Sequence, residues 1–264
     1  MSTFPVHAGD APPTSILGSI VFRWEDLTAK KTPVGERREV HDGPTATLQI
    51  LESHVTTLNP GQASHPPHRH AREEFIILTE GALDVHVNGR ETRVSAGSLL
   101  FFAANDWHAV RNAGATPATY LVFNFNTALT AAAPAEGAEQ AAAPGKMPSR
   151  VCDWEKLEVV KTRVGERRPF FDSPTTTAER LTVHATTLNA GEISHPAHRH
   201  PDEELIIVQE GVLEATINGA PRQAGAGSIF FFAANDEHGL RNAGATRATY
   251  YVVRIVTELT KRKE

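Results

Sequence analysis

A chain of 264 residues that is 40% hydrophobic carries enough apolar side chains for two domains, each with its own core. Its 26 basic and 31 acidic residues leave a net charge of −5, and the only basic run is the terminal Lys261-Arg262-Lys263-Glu264, so electrostatic capture of nucleic acid or of an anionic membrane is not expected. A single cysteine excludes an internal disulfide, and no apolar stretch is long enough to cross a bilayer.

Residues 1–13 show neither the basic segment nor the apolar segment of a secretory signal. That reading places the protein in the cytoplasm, or in the periplasm or outside the cell if a signal has been removed. Residues 1–18 read as an irregular arm. Beyond it the chain repeats itself at an offset of 130 residues (154 − 24): Trp24 matches Trp154, and Val34-Gly-Glu-Arg-Arg38 matches Val164-Gly-Glu-Arg-Arg168. Thr56-Thr-Leu-Asn59 returns as Thr186-Thr-Leu-Asn189, and Arg111-Asn-Ala-Gly-Ala-Thr116 as Arg241-Asn-Ala-Gly-Ala-Thr246. So long a period marks a duplicated domain, not a solenoid. We expect domains at 19–128 and 150–264, joined by a linker at 129–149 that is rich in Ala, Pro, Gly and Glu. Cys152 falls opposite Phe22 in the repeat and reads as a small buried apolar residue.

Within each half the signals are those of short strands. Leu83-Asp-Val-His-Val87 alternates apolar with polar and ends at Asn88-Gly89, a tight-turn dipeptide; Leu213-Glu-Ala-Thr-Ile217 and Asn218-Gly219 repeat it. Glu74-Phe-Ile-Ile-Leu78, Ser98-Leu-Leu-Phe-Phe102 and Ser228-Ile-Phe-Phe-Phe232 are continuous β-type apolar runs. Such runs suit strands covered on both faces, the outer one by the other domain or by a second subunit. Helical periodicity is absent. The class is therefore all-β, a barrel or sandwich in each half.

Each half also carries a His-x-His pair, a glutamate four residues on and a later histidine: His68, His70, Glu74 and His108, then His198, His200, Glu204 and His238. Side chains two apart on a strand share a face, so His68 and His70 can enter one cavity while Arg69 turns away. The same alternation turns Glu73 and Glu203 outward, to a surface role. Imidazoles with one carboxylate suit a divalent transition metal better than Mg or Ca. Two ions per chain are expected, Mn or Fe first, with Ni, Co, Cu or Zn as alternatives. Four protein ligands on a six-coordinate ion leave two positions for water, dioxygen or a chelating substrate.

This pattern resembles the cupin superfamily, and specifically a bicupin. Gly61, His68, His70, Glu74 and Gly81 match the family's first motif, as do Gly191, His198, His200, Glu204 and Gly211. Gly97, His108 and Asn112, with Gly227, His238 and Asn242, match its second. One extra residue separates the first glycine from the histidine pair in both copies. The Pro-x-Gly of the second motif is replaced by Ala103-Ala104-Asn105 and Ala233-Ala234-Asn235, where asparagine can take the positive φ of a turn. The resemblance covers both halves but neither arm nor linker. It implies two tandem cupin double-stranded β-helix (jelly-roll) barrels.

His65 and His195 precede the histidine pairs by three residues, where bicupin oxalate decarboxylases and oxidases place an arginine; the Ser-Glu-Asn-Ser lid motif of those enzymes is also absent. Both departures weigh against oxalate as substrate. His65 and His195 are catalytic candidates, as general acid/base or as partners of the metal ligands, with an exposed turn position as the alternative. His54 and His184 read as strand packing before barrel lining, and His86 as surface; His7 and His41 receive no role. Asn112 and Asn242 are expected to fix a loop, and Arg111 and Arg241 to form salt bridges on the rim. Trp107 stands where the second half has Glu237, so the cavity edges should differ in polarity.

The reading that follows is a metal-dependent enzyme, with dioxygenase-like oxidation of a small oxygen-chelating substrate. A non-redox isomerase, decarboxylase or aminohydrolase is one alternative, and a non-enzymatic metal or small-ligand binding protein another. No helix-turn-helix is attached. The expected partners are a small-molecule substrate, the other barrel of the same chain, and further copies in a homo-oligomer.

Overall fold

The computed structural model describes residues 15–130 and 144–260. Most of the expected arm, residues 131–143 of the linker, His7 and the basic C-terminal run lie outside the described residues. The first half contributes β1 (Ile20–Phe22), β2 (Lys30–Thr32), β3 (Gly35–Gly43), β4 (Ile50–Leu58), β5 (Glu73–Glu80), β6 (Ala82–Val87), β7 (Arg90–Ser95), β8 (Leu99–Phe102), β9 (His108–Asn112) and β10 (Ala118–Asn126). The second contributes β11 (Arg150–Cys152), β12 (Val160–Thr162), β13 (Gly165–Ser173), β14 (Arg180–Leu188), β15 (Ile193–His198), β16 (Glu203–Glu210), β17 (Val212–Ile217), β18 (Ala220–Gly225), β19 (Ile229–Phe232), β20 (His238–Asn242) and β21 (Ala248–Val256). Among the described residues no helix is long and apolar enough to cross a membrane.

Each half is an antiparallel two-sheet barrel. In the first, a large sheet runs β8-β5-β10-β4-β3-β2 and a small one β7-β6-β9. In the second, the large sheet runs β19-β16-β21-β14-β13-β12, and the small one, β15-β20-β17-β18, has a fourth strand. The matching stretch of the first half makes only isolated bridges, Ala63 to Arg111 and His68 to His108. The Asn-Gly turns form as expected: Asn88 and Asn218 take φ of 46° and 47°.

Strand alternation sorts the apolar runs into two cores. Ile76 and Leu78 of β5 face the barrel interior with Leu58, Phe102, Tyr120 and Val122. Phe75 and Ile77, on the opposite face, join Phe123 and Phe125 in a second core shared with Phe171, Leu205, Phe231 and Tyr251 of the other half. This explains why the runs are continuous: the outer wall of each barrel is buried by the other, at roughly 1.5–3 kcal/mol per large side chain.

The shared core has a polar margin that corrects one expectation. Glu73 and Glu203 do turn away from their own barrels, but they are buried, not at the surface. Glu73 accepts hydrogen bonds from the Thr175 and Thr177 hydroxyls and from the Thr176 amide at 3.0 Å. Glu203 accepts from Thr45 Oγ1 at 2.6 Å and the Thr47 amide at 3.2 Å. Alternation gave the right direction; the second barrel supplied what stands there.

The halves also exchange their leading strands. β1 pairs with β19 of the second barrel, and β11 with β8 of the first. Trp24 then packs on Gly227 and Trp154 on Gly97. Glycine is required at 97: φ is +94°, and a Cβ would lie 2.5 Å from the Trp154 ring. The Arg38 and Arg168 guanidinium groups lie over the Trp24 and Trp154 rings, at 4.6 and 4.5 Å. Cys152, half-buried in β11, packs against the shared core, and burial pushes its thiol up.

Candidate metal centres

Three imidazoles converge in each barrel. The ligand atoms of His68, His70 and His108 all lie within 4.8 Å of one another, and so do those of His198, His200 and His238. His108 opens β9 and is bridged to His68 by two backbone hydrogen bonds, of 3.1 and 2.9 Å. In the second half the equivalent His198 closes β15 and pairs with His238. His70 and His200 are not on strands. They reach the centre because the chain folds back: the Asn105 amide donates to the His70 carbonyl at 2.7 Å, and that of Asn235 to His200 at 2.8 Å. Both asparagines have positive φ, 65° and 64°, as expected for the replaced Pro-x-Gly turn. Strand alternation therefore does not explain how His68 and His70 share a cavity; the bridge and the turn do.

Glu74, second in β5 and opposite Phe102, places Oε2 3.5 Å from His70 Nε2 and 3.9 Å from His108 Nε2. Glu204 Oε2 lies 3.4 Å from His200 Nε2. Burial pushes both carboxyl groups up, but the adjoining imidazoles overcome it and hold them below the usual range.

The imidazole tautomers are fixed from behind. Nδ1 of His70, His108, His200 and His238 meets the backbone carbonyls of Arg72, Asp106, Asp202 and Asp236 at 2.8–3.0 Å. A carbonyl only accepts, so Nδ1 carries the proton and Nε2 presents a lone pair to the centre. Nε2 of His108, His200 and His238 is buried with no hydrogen-bond partner. A buried unsatisfied polar atom costs about 1–3 kcal/mol, and a cation accepting lone pairs would remove that penalty once in the first centre and twice in the second. Burial also drives His68 and His238 down to about 4, which keeps them neutral at neutral pH, as a ligand must be. Burial acts the same way on His200, yet the Asp202 and Glu204 carboxylates beside it outweigh burial and raise that ring to about 9, so an ion binding there would displace a proton from Nε2. His108 and His238 stack on Phe102 and Phe232, centroids 4.4 and 4.3 Å apart. The donor set and its orphaned nitrogens fit a divalent transition ion.

His65 and His195 flank these centres. Their rings meet His68 and His198 edge-on at 4.0 and 4.4 Å, and His65 is exposed. His54 and His184 stand on the interior faces of β4 and β14, opposite Val122 and Val252, so they line the barrels. His54 Nδ1 donates to Glu52 at 2.6 Å, whereas His184 Nδ1 is buried without a partner and burial drives that ring down to about 4. His86 accepts from the Gly89 amide in its own turn, and His41 lies beside Phe22. Asn112 and Asn242 tie their loops, each donating to two or more backbone carbonyls. Arg111 pairs with Asp84 and Arg241 with Glu214 on the rim. Trp107 is exposed beneath the Arg69 guanidinium; at the same place Glu237 pairs with Arg199.

Several residues at the sites escaped the sequence reading: Ser19 and Ser149 on the exchanged arms, and Glu52, Asn124, Thr182, Asp202 and Arg254 on the barrel walls. The wall residues had a signal. At the 130-residue offset, positions 52, 72 and 124 hold Glu, Arg and Asn where 182, 202 and 254 hold Thr, Asp and Arg.

The cupin domain family matches residues 54–124 and 185–254. No curated protein matches the sequence. Among solved structures, AerE from Microcystis aeruginosa is similar at 14% identity and a TM-score of 0.65, over 87% of this chain and 97% of its own. Oxalate decarboxylase from Bacillus subtilis is similar at 17% identity and 0.67, over 92% and 77%. Protein Ylba from E. coli is similar at 12% and 0.67, over 94% and 93%. At these identities the likeness extends to the fold.

Proposed function

Since the chain belongs to the cupin family, with two cupin domains in tandem, we propose that it is a metal-dependent enzyme with one divalent transition ion in each barrel. His68, His70, Glu74 and His108 would hold one ion and His198, His200, Glu204 and His238 the other, with Mn or Fe as the first candidates. A redox-capable ion bound there supplies Lewis acidity and electron transfer to a small substrate that chelates through oxygen, and we assign the chemistry to dioxygenase-like oxidation. The observation that supports this reading is the set of buried Nε2 atoms without partners beside a carboxylate.

The chain's own residues set up the site around that ion. Backbone carbonyls hold the ring tautomers, and the Phe102 and Phe232 rings cover one face of His108 and His238 against water. His65 and His195, in edge contact with His68 and His198, would take up or return a proton beside the ligands. The test is metal content of the purified protein, then oxygen uptake with catechols, flavonols and β-diketones. Two equivalents of Mn or Fe with oxygen consumption support the proposal. Turnover of the same or a decarboxylation panel without oxygen replaces oxidation by non-redox Lewis-acid chemistry. Bound metal with no turnover in either panel leaves a binding protein.

A further inference from the structure

The two barrels match strand for strand, but not side chain for side chain. In the first, Asn124 of β10 lies between Glu52 of β4 and Glu74 of β5 in register. In the second, Arg254 of β21 lies between Thr182 of β14 and Glu204 of β16. Each row crosses the interior wall and ends on the glutamate of the metal centre. Its middle residue therefore stands one strand spacing from that glutamate, about 5 Å.

The first row offers acceptors. Asn124 Nδ2 donates to Glu52 Oε2 at 2.8 Å; a carboxylate only accepts, so this bond fixes the amide and turns Oδ1 away. That Oδ1 is buried and has no partner. Glu52 Oε1 accepts from His54 at 2.6 Å and Arg37 at 3.1 Å, which together with Asn124 hold its carboxyl below the usual range against the opposing effect of burial. Two carboxylates and a free carbonyl oxygen thus share one row, and the cation beside it, Arg37, is divided between Glu52 and Glu39.

The second row holds a guanidinium. Arg254 grips Asp202 with two donors, Nε to Oδ2 and Nη2 to Oδ1, the latter at 2.9 Å, and Nε is 3.9 Å from Glu204 Oε2. Asp202 takes the place of Arg72, which is exposed in the first half. The bidentate pair holds the guanidinium plane in one orientation. The pair uses Nε and Nη2 and leaves Nη1 outside it, and the side chain is 41% exposed.

We propose that the two centres differ in ligand class: the C-terminal cavity binds a carboxylate-bearing anion, one carboxylate pairing with Arg254 beside the ion, and the N-terminal cavity rejects anions through Glu52 and Glu74. This rests on the metal-centre reading above. An anion entering the first barrel meets a second carboxylate and an acceptor oxygen, while the nearby donors, Asn124 Nδ2 and Arg37, are engaged with Glu52. In the second barrel the same approach meets a fixed, partly exposed guanidinium and the N–H groups that Asp202 leaves unused. The duplicated protein has kept its ligands while changing the wall that selects what binds them.

The test uses two full-length variants, each keeping one centre: His68→Ala with His108→Ala, and His198→Ala with His238→Ala. Each is loaded with Co(II), its metal content is measured, and malonate is titrated by the visible bands of the bound ion. The expected result is one equivalent of cobalt in each variant, with malonate at least tenfold tighter when only the C-terminal centre is present. Adding Arg254→Met to that variant should abolish the difference with cobalt content unchanged. Installing Glu52→Thr with Asn124→Arg in the other variant should confer malonate binding on the N-terminal centre. Equal malonate affinity in the two single-centre variants overturns this proposal while leaving the metal centres in place. Absence of cobalt from both overturns the metal-centre reading, and this inference with it.

Discussion

Ser19 donates a hydrogen bond to Asp236 at 2.7 Å, although the two are 217 residues apart in the chain. Ser19 Oγ also accepts from the Ala233 amide at 2.8 Å, and the carbonyl of Asp236 receives the Nδ1 proton of His238. The mirror arrangement joins Ser149 to Asp106 and the Ala103 amide, behind His108. Each centre is thus braced by the arm of the opposite half.

Removing one brace should therefore affect one centre. Ser19→Ala is expected to weaken metal binding at the C-terminal centre by about tenfold, the lower end for loss of a group that orients a ligand. Ser149→Ala should do the same to the N-terminal centre. Competition with a chromogenic chelator reads both sites; equal losses at both would assign the serines to general stability instead.

Loss of a ligand has a sharper expected outcome. His68→Ala should lower metal content from two equivalents to one, since the other centre draws its side chains from the other half of the chain. Glu74→Gln should weaken binding less than loss of a histidine, because an amide oxygen still reaches the ion, but it removes an anion and shifts the redox poise. Metal analysis and voltammetry on the two variants check this pair. Metal falling to zero in His68→Ala would mean the centres are coupled through folding.

The buried carboxylates between the barrels should matter for stability. Glu73→Ala strands the Thr175 and Thr177 hydroxyls and the Thr176 amide inside the interface. At about 1–3 kcal/mol for each unsatisfied buried group, partly relieved by entering water, we expect a loss of about 3 kcal/mol in urea unfolding. Glu203→Ala, which strands Thr45 and Thr47, should behave alike. A change below about 0.5 kcal/mol, the usual range for exposed positions, would place both at a solvated surface.

His184 gives a pH dependence with a definite sign. Burial lowers it to about 4 in the folded chain, against 6.5 for a free ring. Between those values the unfolded chain takes up a proton that folded His184 refuses, so stability falls as the pH is lowered from 6.5 and the loss is complete near 4. Full burial would correspond to about 3 kcal/mol, and a half-buried ring to about 2 kcal/mol. His184→Gln should lose that much less stability than the parent between pH 7 and pH 4, measured by urea midpoints at each pH. Parallel curves for the two proteins would exclude it.

The sequence by itself determined what depends on near neighbours in the chain. The 130-residue repeat, the Asn-Gly turns, the positive-φ Asn105 and Asn235, and the types of side chain that converge on each centre follow from local spacing and backbone sterics. Alternation even gave the direction of Glu73 correctly. It could not say what lies on the far side of a face, because period two distinguishes two faces without naming what covers either.

The tertiary structure decided the rest. It buried Glu73 among threonines of the other barrel, brought His70 to the centre by a turn instead of a strand, and seated Ser19 behind His238. It also set Asn124 and Arg254 at equivalent points beside the two centres. Each of these is a contact between residues far apart in the chain, fixed only when two barrels close and press their outer walls together.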